Sequence, residues 1–191
     1  MLKRKERIGI DVDGTIANTT ERWLDIANRM LGRNIQKDDV NVYYLDSLFK
    51  IDPQTVNEIF KRVWDDPDSI QLEHNDIPKV IESIRNTFKV YILTATAGND
   101  KKLRSWLRSN EIHFDGLIHV DKSYKKLDEA KRYGISILID DHSTLVENAA
   151  ALGYKTILIS QPWNRHLDKE VEKRVKIARD WMDVEDLLRS P

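Results

Sequence analysis

The sequence contains no cysteine, which excludes a disulfide framework and every metal site built on thiolates. It also lacks a surplus of positive charge: 31 lysines and arginines stand against 32 aspartates and glutamates, for a net charge of −1. Long nucleic acid draws its sequence-independent affinity from such a surplus. A DNA- or RNA-coating role is therefore disfavoured, whereas a small anionic substrate held by a few local cations stays open. No segment approaches the ~20 consecutive apolar residues of a membrane span. Lys3-Arg4-Lys5 has the look of a signal-peptide start, but Asp11 and Asp13 break the apolar stretch that follows. There is no internal repeat and no low-complexity segment. These absences set the expectation of a soluble, cytoplasmic protein that contacts neither membrane nor long nucleic acid.

What is present is a chain of 191 residues, 40% of them apolar, enough for one sizeable domain or one domain carrying a small insertion. Apolar runs of strand length occur at residues 8–12, 90–93, 117–120, 135–139 and 156–159. They are short, rich in β-branched residues and without alternation, as in strands buried on both faces of a parallel sheet. Helical spacing fills the intervals, as at Val80, Ile81, Ile84 and Phe88, or Leu145, Val146, Ala149 and Leu152. Gly134 and Gly153 stand where helix C-caps belong. The fold class expected is an α/β three-layer sandwich around a central parallel sheet. Almost eighty residues separate the first two strands, too many for an ordinary crossover. They carry helical patterns at 21–31 and 54–64. We read residues 18–76 as a small helical cap and residues 1–17 with 77–191 as the α/β core, the cap overhanging the edge where open α/β sheets bind ligands.

Asp11-Val12-Asp13-Gly14-Thr15 follows the first strand. Two carboxylates held two residues apart at a glycine turn suit a nucleophile and its acid/base partner. A calcium loop is rejected, because the positions that need glycine and glutamate hold Ile16 and Arg22. A plain polar turn remains the alternative. Thr94 ends the second strand and is followed by Ala95, Thr96, Ala97 and Gly98. Small residues there leave backbone amides accessible to a phosphate, although Thr94 equally suits an N-cap for the helix near Asp100. Asp140-Asp141 ends a later strand, either as paired metal ligands or as a solvated turn in which Asp141 or Ser143 caps a helix. The C-terminal ends of parallel strands share one edge, so four carboxylates would gather there. A phosphate dianion enters such a place only with counter-charge: Mg²⁺, whose ligands are hard oxygens, and a lysine. Lys122, Lys125 and Lys126 all begin the helix before Asp140.

The order Asp11-x-Asp13-Gly14-Thr15, Thr94, Lys126, Asp140-Asp141 is similar to the four motifs of the haloacid dehalogenase-like (HAD) hydrolase superfamily. The helical insertion and the segment Gln161-Pro162-Trp163-Asn164-Arg165 look like the 5'(3')-deoxyribonucleotidase-like group within it. The resemblance implies a Rossmann-like core and an Mg²⁺-dependent phosphatase. Asp11 would form an aspartyl-phosphate and Asp13 would serve as general acid/base. Thr94, Ala95 and Lys126 would contact the substrate. Asp11, Asp13 (through its carbonyl), Asp140 and Asp141 would hold the metal. The substrate implied is a nucleoside monophosphate, and a homodimer stays open. The other readings carried are a general sugar phosphatase or phosphomutase, and a receiver-like phospho-acceptor module. The cap aromatics Trp23, Tyr43, Tyr44, Phe49 and Trp64 would either stack on a base or fill the cap's own core, the latter expected for most. Among the histidines, His142 beside the acid pair is expected to be structural.

Overall fold

The β-rich runs form six strands: β1 (Arg7–Ile10), β2 (Lys89–Thr94), β3 (Gly116–His119), β4 (Ile137–Asp140), β5 (Lys155–Ile159) and β6 (Lys176–Ala178). In the computed structural model, which describes residues 5–189, they pair in the order β3-β2-β1-β4-β5-β6, and every pairing is parallel. Lys3 and Arg4 of the basic run lie outside the described residues. The sixth strand escapes the sequence pattern because it is a short edge strand whose Lys176 and Ile177 are exposed, leaving only Ala178 to bury.

Nine helices are found among the described residues: α1 (Thr19–Leu31), α2 (Leu45–Phe49), α3 (Pro53–Asp65), α4 (Ile77–Arg85), α5 (Asp100–Ser109), α6 (Lys126–Arg132), α7 (Ser143–Ala151), α8 (Lys169–Glu172) and α9 (Trp181–Arg189). Alternate residues of a strand serve opposite faces. Ile137 and Ile139 of β4 pack with Val80 and Ile81 of α4, Leu103 of α5 and Trp181 of α9. Leu138, between them, packs with Ala130 of α6 and Ala149 of α7. Both faces of the sheet are therefore covered, giving the three-layer, Rossmann-like α/β fold that strands without alternation imply.

Helices α1 to α3 lie between β1 and β2. Asp52 caps α3 by accepting from the Thr55 amide, with Pro53 at the first helical position, and Gly32 ends α1 in the left-handed conformation. Trp23 fills their common core, edge-on to Phe49 with ring centroids 4.9 Å apart. The chain enters and leaves this insertion through paired backbone: the Asn18 amide donates to the Gln71 carbonyl (2.8 Å) and the Glu73 amide to Ile16 (2.9 Å). Its apolar residues belong to the same buried cluster as one face of the sheet. Trp64 of α3 meets Trp106 of α5 at 5.9 Å, and Lys102 of α5 pairs with Asp65 at 2.6 Å. Among the described residues no helix is long and apolar enough to cross a membrane.

Candidate active site

The strand order decides where the motifs meet. β1 lies between β2 and β4, with Ile10 level with both Ile92 and Ile139. The residues that follow these three strands therefore emerge side by side. Asp11 is locked in line by its amide, which donates to the Ile139 carbonyl at 3.0 Å. The chain then turns so tightly that the amides of Thr15, Ile16 and Ala17 all reach the Val12 carbonyl at 2.8–3.2 Å. Gly14 adopts φ +72°, and a Cβ there would stand 2.7 Å from Asp141 Oδ2. Both its conformation and its space require glycine.

Lys126 opens α6 and is 3% exposed. Its Nζ lies 2.8 Å from Asp11 Oδ1 and donates to Asp140 Oδ2 at 2.9 Å. Lys125 instead pairs with Asp121 at the surface, and Lys122 is exposed. The geometry thus singles out Lys126 from the three lysines. Burial works against its charge, but Asp11 and Asp140 outweigh burial and hold the ammonium above the ordinary lysine range. Asp140 also accepts from the His142 amide (2.9 Å). No side chain caps α7, so the solvated-turn reading of Asp140-Asp141 fails. Asp141 takes hydrogen bonds from the Trp163 indole (Oδ2, 2.8 Å) and the Thr15 hydroxyl (Oδ1, 3.3 Å).

Oxygens of Asp11, Asp140 and Asp141 all lie within 4.8 Å of one another, in a buried cluster. Burial, then the charges of Asp140 and Asp11, push the Asp141 carboxyl well above the usual carboxylate range. Burial also raises Asp11, against the pull of Lys126. Three buried carboxylates around one ammonium are under-compensated, and an all-oxygen donor set of this kind fits a hard divalent cation such as Mg²⁺.

The Asp13 side chain is not part of that trio. It turns toward the insertion, where the Trp64 indole donates to Oδ1 at 3.1 Å. Burial and then the charge of Asp11 raise its pKa to about 6, with hydrogen bonds from Thr96 and Trp64 pulling the other way. Thr94 is fully buried, and its hydroxyl accepts from the Thr96 amide (3.2 Å). It does not cap α5, because Asn99 does so through Lys102. Two amides of the loop are turned inward to the hydroxyls of Thr94 and Thr96. The expectation of freely accessible amides is to that extent corrected. Ala95, between them, is half-buried. At Gly98 an added Cβ would meet the Trp64 ring at 2.8 Å, so this glycine lets the insertion's tryptophan reach Asp13.

Of the insertion's aromatics, Trp23, Phe49 and Trp64 are buried, whereas Tyr43 and Tyr44 stay exposed beside the acidic cluster. Tyr43 stacks on His142 at 3.9 Å and 7°. Burial, then the charge of Lys126, lowers the His142 pKa to about 4, so its ring is neutral near pH 7. Sequence reasoning did not foresee the supporting residues. Gln161 Nε2 donates to the Gly14 carbonyl (2.8 Å), and Asn164 Nδ2 to the Asp141 and Ile159 carbonyls (2.8 Å each). With Trp163, they brace both acidic turns. The signal was there in the segment 161–165, but nothing in its spacing says what it touches.

No curated protein matches the sequence. Among solved structures, a haloacid dehalogenase-like family hydrolase from Streptococcus pneumoniae is 16% identical, with a TM-score of 0.71 over 97% of this chain and 99% of that one. The HAD hydrolase YfnB from Bacillus subtilis, bound to magnesium, is 15% identical with a TM-score of 0.65 over 98% and 100%. An L-2-haloacid dehalogenase from Xanthobacter autotrophicus, with chloropropionic acid covalently bound, is 12% identical with a TM-score of 0.64 over 98% and 99%. At these identities the likeness concerns the fold. The family model described as 5' nucleotidase, deoxy (pyrimidine), cytosolic type C protein matches residues 5–190. The chain belongs to that family and is a phosphatase-type hydrolase of the HAD superfamily.

Proposed function

We propose that the chain is an Mg²⁺-dependent nucleotidase that hydrolyses nucleoside monophosphates through a phosphorylated Asp11. The observation that carries this reading is the convergence of Asp11, Lys126 and Asp140, joined at 2.8 and 2.9 Å at the ends of adjacent strands, with Asp13 beside them.

Asp11 is the nucleophile. Lys126 holds its Oδ1, which fixes the carboxylate and leaves Oδ2 to attack phosphorus in line. The Lys126 ammonium also offsets charge on the equatorial oxygens, the main contribution in phosphoryl transfer. Thr94 and the backbone at Ala95 contact the phosphate. With a pKa of about 6, Asp13 is suited to both halves of the reaction. Protonated, it gives its proton to the leaving alcohol; ionised, it takes one from the water that cleaves the acyl-phosphate. That second step separates an enzyme from a receiver-like module, whose phosphorylated carboxylate persists. Asp11, Asp140 and Asp141 would hold Mg²⁺ with the Asp13 carbonyl, and the cation would supply the positive charge that admits a dianion among these acids.

Residues 18–76 act as the cap over this site. Tyr44, 64% exposed, and the face of Tyr43 turned away from His142 offer ring surface for a base, worth roughly 1 to 3 kcal/mol by stacking. The family match favours a nucleotide over a sugar phosphate. Phosphate release from a panel of nucleotides and sugar phosphates, with and without Mg²⁺, tests this reading. Metal-dependent turnover of nucleotides supports it, and turnover of sugar phosphates alone would replace it with a general phosphatase.

A further inference from the structure

His119 ends β3, level with Thr94 of β2. Its ring bridges the loop that follows Thr94 and the start of α5. Nε2 lies 2.9 Å from the Thr96 carbonyl, and Nδ1 lies 2.6 Å from Oδ1 of Asp100, the first residue of α5. A carbonyl and a carboxylate only accept hydrogen bonds, so the ring satisfies both when each nitrogen carries a proton. The contact with Asp100 is then an ion pair as well. In the surface cleft beside His119, Asp121 is paired with Lys125 and Glu129 with Arg132.

The loop that His119 holds carries two contacts toward Asp13. The buried Thr96 side chain hydrogen-bonds to Asp13 and accepts from the Gly98 amide at 3.4 Å. Gly98 is where the Trp64 ring rests, and Trp64 donates to Asp13. Displacing the Thr96 carbonyl therefore displaces the hydroxyl of the same residue and the seat of the tryptophan. Thr94 is fixed differently, by the sheet: it is fully buried, and its carbonyl accepts from the Val120 amide at 2.9 Å. We propose that His119 is a positioning residue for Asp13, holding residues 96–98 through the Thr96 carbonyl so that Thr96 and Trp64 meet that carboxyl. Nε2 carries the role, and Asp100 orients the ring through Nδ1, as a carboxylate commonly does for an imidazole. The role rests on the reading of Asp13 as acid/base. It concerns the chemical step and leaves the phosphate contacts at Thr94 in place, so its loss falls on kcat.

Glutamine sets its amide nitrogen where Nε2 of histidine stands, and asparagine sets its own where Nδ1 stands. The experiment measures kcat and KM for dUMP and for p-nitrophenyl phosphate, with Mg²⁺, in the wild type and in His119→Ala, His119→Asn, His119→Gln and Asp13→Asn. Thermal melting checks the folding of each variant. His119→Ala and His119→Asn should lose about tenfold in kcat, with KM within about twofold of the wild type. His119→Gln should recover most of that loss. Equal kcat in His119→Gln and His119→Asn, an undiminished kcat in His119→Ala, or a loss carried by KM overturns the role of His119 and spares the reading of Asp13. Full kcat in Asp13→Asn, or no turnover of either substrate by the wild type, overturns both.

Discussion

The indole nitrogen of Trp64 lies 3.1 Å from Asp13 Oδ1, so the insertion between β1 and β2 donates a hydrogen bond directly to the proposed acid/base. Gly98 makes the approach possible, since any side chain there would meet the ring. A hydrogen bond to the charged form lowers a carboxyl pKa. Trp64→Phe keeps the bulk and removes the donor. We expect kcat/KM to fall about tenfold or more, with the limb of the pH–rate profile that belongs to Asp13 moving upward in pH. A profile that keeps its shape would assign Trp64 to packing alone.

Asp13 also links pH to stability. Its folded pKa of about 6 lies above the ordinary value of 3.8. The folded state therefore binds more protons than the unfolded chain between these values. The stability contributed by its protonated form is fully present below 3.8 and is lost as pH rises through about 6. Asp13→Asn should accordingly stabilise the metal-free protein at pH 7 by roughly 1–3 kcal/mol, with the gain shrinking toward pH 4. Urea denaturation of both proteins at pH 4.5 and 7.5 checks this. A gain that grows on acidification contradicts it.

Removing one partner of a buried charge network is costly. Lys126→Ala leaves Asp11 and Asp140 without their ammonium, and we expect a loss of about 3–5 kcal/mol in the metal-free protein at neutral pH. Chemical denaturation in EDTA measures it directly. If Mg²⁺ binds among these carboxylates, adding it should restore part of that loss.

Trp163 donates to Asp141 Oδ2 at 2.8 Å. Such outer contacts orient ligands, and their loss commonly costs 10- to 100-fold, as an order-of-magnitude expectation, in metal affinity. Trp163→Phe should raise the Mg²⁺ concentration for half-maximal activity by about that factor. An unchanged activation curve would remove Asp141 orientation from the indole's role.

The parallel sheet and its two helical layers were legible because the inner strands β1, β2, β4 and β5 bury residues on both faces and so read as continuous apolar runs. β6 was not, since an exposed edge leaves no such run. The acids stood out in the sequence because their chemistry is local: a carboxylate at a strand end is recognisable wherever it falls. The residues alone left Lys122, Lys125 and Lys126 level at one helix start, and it is burial between Asp11 and Asp140 that sets Lys126 apart from Lys125, which pairs with Asp121 at the surface. Trp64, Gln161, Trp163 and Asn164 stayed hidden for another reason. Their roles rest on a few hydrogen bonds, most of them long-range, and in sequence a tryptophan that braces a carboxylate looks like one that fills a core. Trp23 and Trp64 are both buried, yet the first donates its N–H to the Val56 carbonyl and the second to the Asp13 carboxylate.

The central claim is that Asp11 becomes phosphorylated. Rapid acid quench during turnover of a ³²P-labelled nucleotide, followed by peptide mapping, tests it most directly. Label should appear on the peptide carrying Asp11 in the wild type, and neither label nor more than a few per cent of the activity, as a rough ceiling, should survive in Asp11→Asn. Label on a different residue, or Mg²⁺-dependent phosphate release undiminished in Asp11→Asn, would contradict the account.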